Sequence, residues 1–550
     1  MRASFLAILF WAVRGFAAFH LTWGVPAVSL DSNPPIGDAD VNPTVAIDPS
    51  GNAVATWGRT NGNMAVEDVW AASYNHSSRI WTGAVKISGG GNASLPAVAM
   101  DGAGNAIVVW EEGFPTQILS RVLSADGVWS PSLQSAPTPV CRSLSAQESP
   151  QIVVDANGNA VAIWMELLSK ANRIQSAKKP VGSDWVALGP ISSGENHAAI
   201  HLPIPLAMNA SGQAVAVWQE SNQGEPQVHA AQYINGSWRS PLFISAGESP
   251  SVAIDGDGNA LFAWQRGSQI ESKTLIGRSL SETPQLVSNP LFRAQHPCVG
   301  VDDAGNGVVV FERFDAAAMH KFVAGATLPF QAATWTRPID ISVPSPAEVS
   351  AAGFPRLCLN AIGDGVVIWK EFDGSHIVIQ GAGYSLGTWS SIRTLSSNRD
   401  NSGSSLAAYD MGVSLNLAGN IMAIWPEDPS GSSTHHIKTV PGTGLAIAGP
   451  LPPAVDRASV PVGIGVGKQV KHCFPAHSDF INILDWEAPP GSVACYKIYR
   501  GNLSSLIATS KEPHYEDHSR VPDEKTTYLI TSVDDHDHES GPIAIIVHPK

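Results

Sequence analysis

Charge is scarce in this 550-residue chain: 15% of its residues are Asp, Glu, Lys or Arg. What charge there is leans acidic, with 33 Lys and Arg against 48 Asp and Glu, a formal −15. That balance excludes a basic footprint for nucleic acid or an anionic membrane surface. Cysteine is also rare, with five residues at Cys141, Cys298, Cys358, Cys473 and Cys495. Cys298 and Cys358 lie inside apolar runs and read as buried thiols. Cys473 and Cys495 share the C-terminal region, and spacing alone does not decide whether they pair. No Cys/His cluster has zinc-ligand spacing. Beyond the N-terminus no apolar run reaches the length of a membrane-spanning helix. The chain holds no Gly-x-Ser-x-Gly elbow, no His-Glu-x-x-His and no phosphate-cradling glycine loop. The sequence therefore yields no catalytic set, no metal site and no cofactor.

What is present is a repeat. Pro96-Ala-Val-Ala-Met-Asp101-Gly-Ala-Gly104-Asn105-Ala-Ile-Val-Val-Trp110 returns at Pro43–Trp57, Pro150–Trp164 and Pro250–Trp264. With single changes it returns at Pro297–Phe311 and Pro355–Trp369, and in weaker form at Asn209–Trp218 and Asn416–Trp425. Within one copy, Asp48-Pro-Ser-Gly51-Asn52 has the chemistry of a hairpin loop: an acid that accepts from amides ahead of it, then a glycine in the left-handed region. Gly104 takes that glycine position in the second copy, while Gly102 falls where φ is ordinary. The flanking runs are apolar on both alternating faces, as in strands buried on both sides. A second hairpin follows, marked by Asp126-Gly127 or Asn235-Gly236, and a second Trp opens the fourth strand at Trp81, Trp129, Trp185, Trp238, Trp335 and Trp389. One copy is thus four short antiparallel strands.

The eight copies place their main aromatic residue at steps of 46 to 58 residues. Four strands at that period resemble the blades of a β-propeller. The expected fold is all-β: an eight-bladed propeller over residues 20–450, with seven blades as the alternative. Thr22-Trp23-Gly24-Val25-Pro26 is similar to Thr334-Trp335-Thr336-Arg337-Pro338, which predicts that the N-terminal segment supplies the fourth strand of the last copy. After a linker at 451–468, residues 469–550 resemble a fibronectin type III domain. The likeness rests on Trp486, Tyr496, Tyr528 and Glu539-Ser540-Gly541-Pro542, and it implies a β-sandwich in which Tyr528 makes the family's corner contact. No Arg-Gly-Asp is present.

Residues 1–17, with 27 as an alternative end, read as a secretory signal: Met1-Arg2, then Phe5–Val13 apolar, then Gly15-Phe16-Ala17. The expected location is extracellular or on the cell envelope, as a monomer. Asn75, Asn92, Asn209, Asn235 and Asn502 open Asn-x-Ser acceptor patterns. Asp255-Gly-Asp257-Gly258-Asn259 is like the start of a calcium loop but lacks the closing Glu, and turn chemistry accounts for it. Asp534–Glu539 reads as a solvated turn.

The candidate site lies two residues past each main aromatic, at Arg59, Glu112, Glu166, Glu220, Arg266, Arg313, Glu371 and Glu427. All eight are charged, and residues two apart on a strand share a face. A structural account has these groups facing solvent or pairing between adjacent blades. A functional account makes them a ring at one mouth of the channel, binding a carbohydrate or protein ligand. An exported carbohydrate-active enzyme, a glycosidase or lyase, is the alternative function on such a scaffold.

Overall fold

The computed structural model describes residues 21–444 and 466–547, apart from 25–26, 31–38, 61–65, 170–171, 193–202, 223, 317–319, 331, 333, 344–350, 373–376, 386, 397–410, 428–435, 474–477, 487–492, 501–505, 519, 522–525 and 534–542. The signal segment, linker residues 451–465, Asn502 and the Asp534–Glu539 turn fall outside the described residues, and residues 466–468, expected as linker, open the strand Val466–Cys473. The chain divides into two compact units, Met1–Ile447 and Ala448–Lys550.

The first unit is all-β, built of repeated antiparallel four-stranded sheets, an arrangement consistent with a β-propeller. Each sheet is one repeat copy taken in chain order. In the second copy the strands are Ala93–Met100, Ala106–Glu112, Gln117–Leu123 and Trp129–Ser130. The sixth copy, Arg293–Val301, Gly307–Asp315, His320–Leu328 and Ile339–Asp340, joins the seventh through one parallel bridge, Lys321 to Ala351. In the last copy the fourth strand comes from the other end of the chain: Leu21–Trp23 pairs antiparallel with Gly442–Gly444. Trp23 thereby fills the place that Trp389 holds in the copy before it.

Apolarity on both faces has the expected consequence. Ala106–Glu112 and Ala160–Glu166 are buried at every position. Trp57, Trp110, Trp164, Trp218, Trp264, Phe311, Trp369 and Trp425 are all 1% exposed or less. Each packs against side chains of a neighbouring copy, as Trp164 does against Ala97, Val109 and Ile118. Full burial of one such side chain contributes on the order of 2–3 kcal/mol.

The loops between first and second strands also touch one another. Gly51, Gly104, Gly158, Gly212, Gly258, Gly305, Gly363 and Gly419 all have φ between +79° and +90°. A Cβ on Gly104 would lie 3.0 Å from Asp48 Oδ2 of the previous copy, and one on Gly158 would lie 3.0 Å from Asp101 Oδ2. Where Asn replaces the Asp, its amide bonds to the next loop: Asn209 Nδ2 donates to Asp255 O at 3.1 Å and Asn360 Nδ2 to Asn416 O at 3.1 Å. Asn416 Nδ2 donates to Asp48 O at 2.9 Å, which links the last copy to the first. Both carboxylate oxygens of Asp255 are consumed within its loop, by Asp257 N, Asn259 N and Asn259 Nδ2. No group of acids, His or Cys suited to a metal occurs among the described residues.

The C-terminal unit has two sheets. One orders Val466–Cys473, Ser478–Asp485 and His514–Asp517; the other orders Leu506–Ser510, Cys495–Arg500, Thr526–Val533 and Ile543–Val547. Its core holds Leu484, Trp486, Tyr496, Ile498, Tyr528 and Ile530. The Tyr528 hydroxyl is fully buried; it donates to Asp517 Oδ2 at 2.5 Å and accepts from Asn482 Nδ2 at 2.9 Å. Burial first, and then the Asp517 carboxylate, push its pKa above the usual tyrosine range. Cys495 is a free thiol among the described residues, and the side chain of Cys473, with which the sequence left pairing open, lies outside them. No helix among the described residues is long and apolar enough to cross a membrane.

Candidate functional site

The eight charged positions are spread over eight second strands, and the local pairing of each follows from its distance to the main aromatic. A side chain two residues beyond Trp lies on the same face, within reach of the indole nitrogen. Trp110 Nε1 donates to Glu112 at 2.7 Å, Trp218 Nε1 to Glu220 at 2.6 Å, Trp369 Nε1 to Glu371 at 3.2 Å and Trp425 Nε1 to Glu427 at 2.8 Å. Glu112 also accepts from the amides of Gly89 and Gly90, at 3.0 and 2.5 Å. Glu166 turns away from its Trp and takes Ser143 Oγ, Arg173 Nε and Gln175 Nε2, which together hold its carboxyl below the usual range despite its burial.

The arginines follow the same local rule. Arg59 pairs with Asp40 at 2.8 Å, directly across from it in the sheet, and stacks on Trp70. Arg313 forks onto Asp340 at 2.8 and 2.7 Å and lies between the rings of Phe292 and Phe322, each 4.3 Å away. Arg266, the exposed one, stands 3.5 Å from Glu271 on the neighbouring strand. The expectation of Arg–Glu pairs between blades, or of eight solvent-facing groups, is corrected here. Arg59, Arg266 and Arg313 pair with acids of their own copy, and all five glutamates are 8% exposed or less. The reason is reach: the indole and the adjacent strand are closer than the next sheet.

The contacts between copies lie one residue earlier, on the opposite face of the strand. Glu111 Oε2 accepts from Ser149 N at 2.9 Å, Gln219 Oε1 from Ser249 N at 3.1 Å, and Glu312 Oε1 from Phe354 N at 2.7 Å. Each donor is the residue before the repeat proline. Those residues have φ of +55°, +51° and +54°, and the sheet register slips beside each one. Asn42, Leu95 and His296 occupy the same position with φ from +47° to +53°. This is a bulge repeated in six copies, and in three of them it turns an amide toward the neighbouring copy. The signal was in the sequence, as an x-Pro pair followed later by a polar residue after Trp. Attention to the Trp face alone missed it.

The sixth copy departs furthest from the pattern. Phe311 replaces Trp and needs no indole acceptor, and Arg313 replaces Glu. A cavity of about 230 Å³ opens at this end of the copy, lined by Arg293, Gln295, Glu312, Arg313, Phe314 and Lys321. Arg293, Phe314 and Lys321 stand opposite one another on three adjacent strands, Gln295 and Glu312 are paired two rows along on the same face, and Arg313 lies in the row between, on the opposite face. Glu312 is 2% exposed and accepts from Gln295 Nε2 at 2.7 Å, with His296 Nδ1 at 3.1 Å and Lys321 Nζ at 3.8 Å. Burial alone would raise the Glu312 pKa, but the hydrogen bond and charge of His296, with hydrogen bonds from Gln295 and the Phe354 amide, hold it below the usual range. Arg313 Nη1 is buried, has no hydrogen-bond acceptor and lies 3.6 Å from Asp315. A larger cavity of about 480 Å³, at the loop end of copies three and four, has its cations engaged: Lys178 Nζ donates to Gly236 O and Lys179 Nζ to Ser183 O.

No protein-family model matches the sequence, and no curated protein does. Solved structures similar to it include a fungal alcohol oxidase of the AA5 family in complex with copper (12% identity, TM-score 0.39, 96% of this chain and 99% of that one). Another is an ulvan lyase of polysaccharide lyase family PL25 (12% identity, TM-score 0.41, 75% and 95%). A third is YCF48 bound to a D1 peptide (10% identity, TM-score 0.37, 77% and 94%).

Proposed function

We propose that this chain is an exported binding protein: a signal at 1–17, an eight-bladed β-propeller over 20–450, a linker at 451–468 and a fibronectin type III domain at 469–550. The closure of the last copy by Leu21–Trp23 and the bond from Asn416 to Asp48 support a ring of eight. The three-plus-four strand arrangement around Trp486 and Tyr528 supports the C-terminal assignment. The partner is a carbohydrate or a protein, bound by the monomer at the end of the ring where Arg59, Glu112, Glu166, Glu220, Arg266, Arg313, Glu371 and Glu427 lie. The observation that carries this reading is the polar cavity of the sixth copy, which supplies the asymmetry that eight similar units lack. A glycan array probed with the purified chain, beside a pull-down of surface proteins, tests it. Absence of any saturable partner would overturn it.

The second reading is an exported carbohydrate-active enzyme. It is favoured by one feature, the His296–Glu312 contact at 3.1 Å beside the same cavity, where a buried carboxylate orients a half-exposed imidazole. A hydrolysis and elimination screen on polysaccharides separates the two: turnover abolished by His296→Gln selects the enzyme.

A further inference from the structure

We propose that the cavity of the sixth copy is a subsite for an acidic sugar, with Arg293 and Lys321 holding its carboxylate and Phe314 supporting its ring. The proposal rests on the binding reading above and names the ligand class. The lining holds a single carboxylate, Glu312, and two cations on its face of the sheet, Arg293 and Lys321, while Arg313 belongs to the opposite face. Glu312 is hydrogen-bonded by Gln295, His296 and the Phe354 amide, and Lys321 Nζ stands 3.8 Å from it, beyond hydrogen-bond reach. Arg313 is held by Asp340 and lies near Asp315, yet its Nη1 has no hydrogen-bond acceptor. Arg293 is exposed and makes no ion pair among the described residues. Lys321 is half-exposed, with Glu312 only at 3.8 Å. An exposed guanidinium and an ammonium that makes no hydrogen bond to the one nearby carboxylate, on either side of an aromatic ring, are suited to an oxyanion through charge-assisted hydrogen bonds.

The shape favours a sugar over an acidic peptide. Arg293 and Lys321 flank Phe314 across three paired strands, so the aromatic ring lies in the middle of the row and the cations stand at its sides. A pyranose presents polarised C–H groups to an aromatic face, which carries negative charge density. The cavity, about 230 Å³, holds one ring. An extended peptide docks by adding to an open strand edge. The lining residues are already paired in register, so they offer no such edge.

The test uses the full chain with sodium glucuronate, glucose, glucose 6-sulfate and N-acetyl-aspartyl amide as probes, read by calorimetric titration. The expected result is saturable binding of glucuronate and none of glucose. The Arg293→Gln/Lys321→Gln pair removes both charge-assisted contacts and should weaken glucuronate binding by about a hundredfold, roughly tenfold for each, with an unchanged melting temperature. Phe314→Ala should weaken glucuronate while leaving any simple anion, such as acetate, unaffected. Glucose 6-sulfate binding as tightly as glucuronate would retain the acidic-sugar class and overturn the carboxylate assignment. Equal binding of the aspartyl amide would overturn the sugar in favour of a peptide. No glucuronate binding, or binding unchanged in the pair variant, would overturn the subsite. A neutral glycan found on the array whose binding survives the pair variant would leave the binding function standing without this subsite.

Discussion

The two ends of the repeated sheets use their polar residues differently. At the loop end, eight turns share one design: an Asp or Asn folds over its own loop, a left-handed Gly follows, and each turn is seated against the next. At the other end no such uniformity holds. Four glutamates cap their own indole, Glu166 leaves its Trp for Arg173, and Phe311 with Arg313 opens a cavity. The indole nitrogens of Trp57 and Trp264, followed by Arg59 and Arg266, have no acceptor at all. Uniform chemistry at one end is the mark of closure, since every copy must meet its neighbour in the same way. Variation at the other end is compatible with those contacts because the charges two residues past the main aromatics find their partners within their own copies, while Glu111 and Glu312 on the opposite face reach the next copy. That freedom is what allows a single copy to acquire a cavity.

The largest effect should come from breaking the uniform end. Gly104→Val forces a β-branched residue to φ +87° and drives its Cβ toward Asp48 Oδ2 of the neighbouring copy. We expect a loss of roughly 3 kcal/mol or more, read as an earlier midpoint in urea. Gly102 has an ordinary backbone, which by itself predicts tolerance. Its Cβ, however, would stand 2.8 Å from the carbonyl of Ala156 in the next loop. Gly102→Ser should therefore also destabilise, though less than Gly104→Val. Equal midpoints for Gly102→Ser and the parent would show that the loops do not press on one another.

A smaller loss is expected from Glu112→Gln, Glu166→Gln and Glu220→Gln combined. The amide keeps one acceptor but turns an NH2 toward groups that also donate: the Gly89 and Gly90 amides, and Arg173. We expect about 2–4 kcal/mol in total from the lost charge-assisted bonds, measured by thermal melting. Unchanged stability with abolished partner binding would instead make these acids part of the recognition surface.

The fold was legible because its signals are local and recur: Asp-x-x-Gly-Asn for the turn, runs apolar on both faces for doubly buried strands, and Trp23 for the strand that completes the last copy. The positions of the charged residues were legible too, but not their partners. Sequence spacing says that Glu112 shares a face with Trp110; it does not say that the indole N–H is the nearest donor. The contacts made by Glu111 and Glu312 depend on a bulge whose left-handed residue is Ser149 or Phe354 rather than glycine, so no composition cue marks it. The cavity depends on side chains from three strands meeting at one end of the sixth copy, which a repeat analysis averages away.

Two glutamates at equivalent positions differ in their donors. Glu166 is held by Arg173, Gln175 and Ser143, while Glu371 has the Trp369 indole alone and its Oε1 is buried without a donor. Burial accordingly raises the Glu371 pKa from 4.5 to about 7. A carboxyl with a raised folded pKa favours folding fully below its unfolded pKa, and that contribution is lost as pH rises through the folded value. Between about pH 4.5 and 7 the loss runs to about 1.4 kcal/mol per pH unit at most. Glu371→Gln removes the ionisation and keeps an acceptor for Trp369. It should stabilise the protein at pH 8 by on the order of 1–3 kcal/mol and leave it unchanged near pH 4, by denaturant titration at each pH. A difference independent of pH would show that Glu371 does not titrate in this range.

The smallest effect is expected at Arg266, and its smallness sharpens the contrast among the three arginines. Arg313 is 9% exposed, forked onto Asp340 and enclosed by two aromatic rings. Removing it strands a carboxylate and empties a stacked site, so Arg313→Gln should cost roughly 1–3 kcal/mol. Arg266 has a side chain 55% exposed, and its nearest oxygen on Glu271 is 3.5 Å away. Exposed pairs of that kind contribute about 0–1 kcal/mol and are screened by salt. Arg266→Gln should shift the midpoint by less than about 0.5 kcal/mol, with the difference vanishing near 1 M salt. A loss as large as that of Arg313→Gln would mean that Arg266 supports a neighbouring copy, and the rule that each of these charges is satisfied within its own sheet would then fail at the fifth copy.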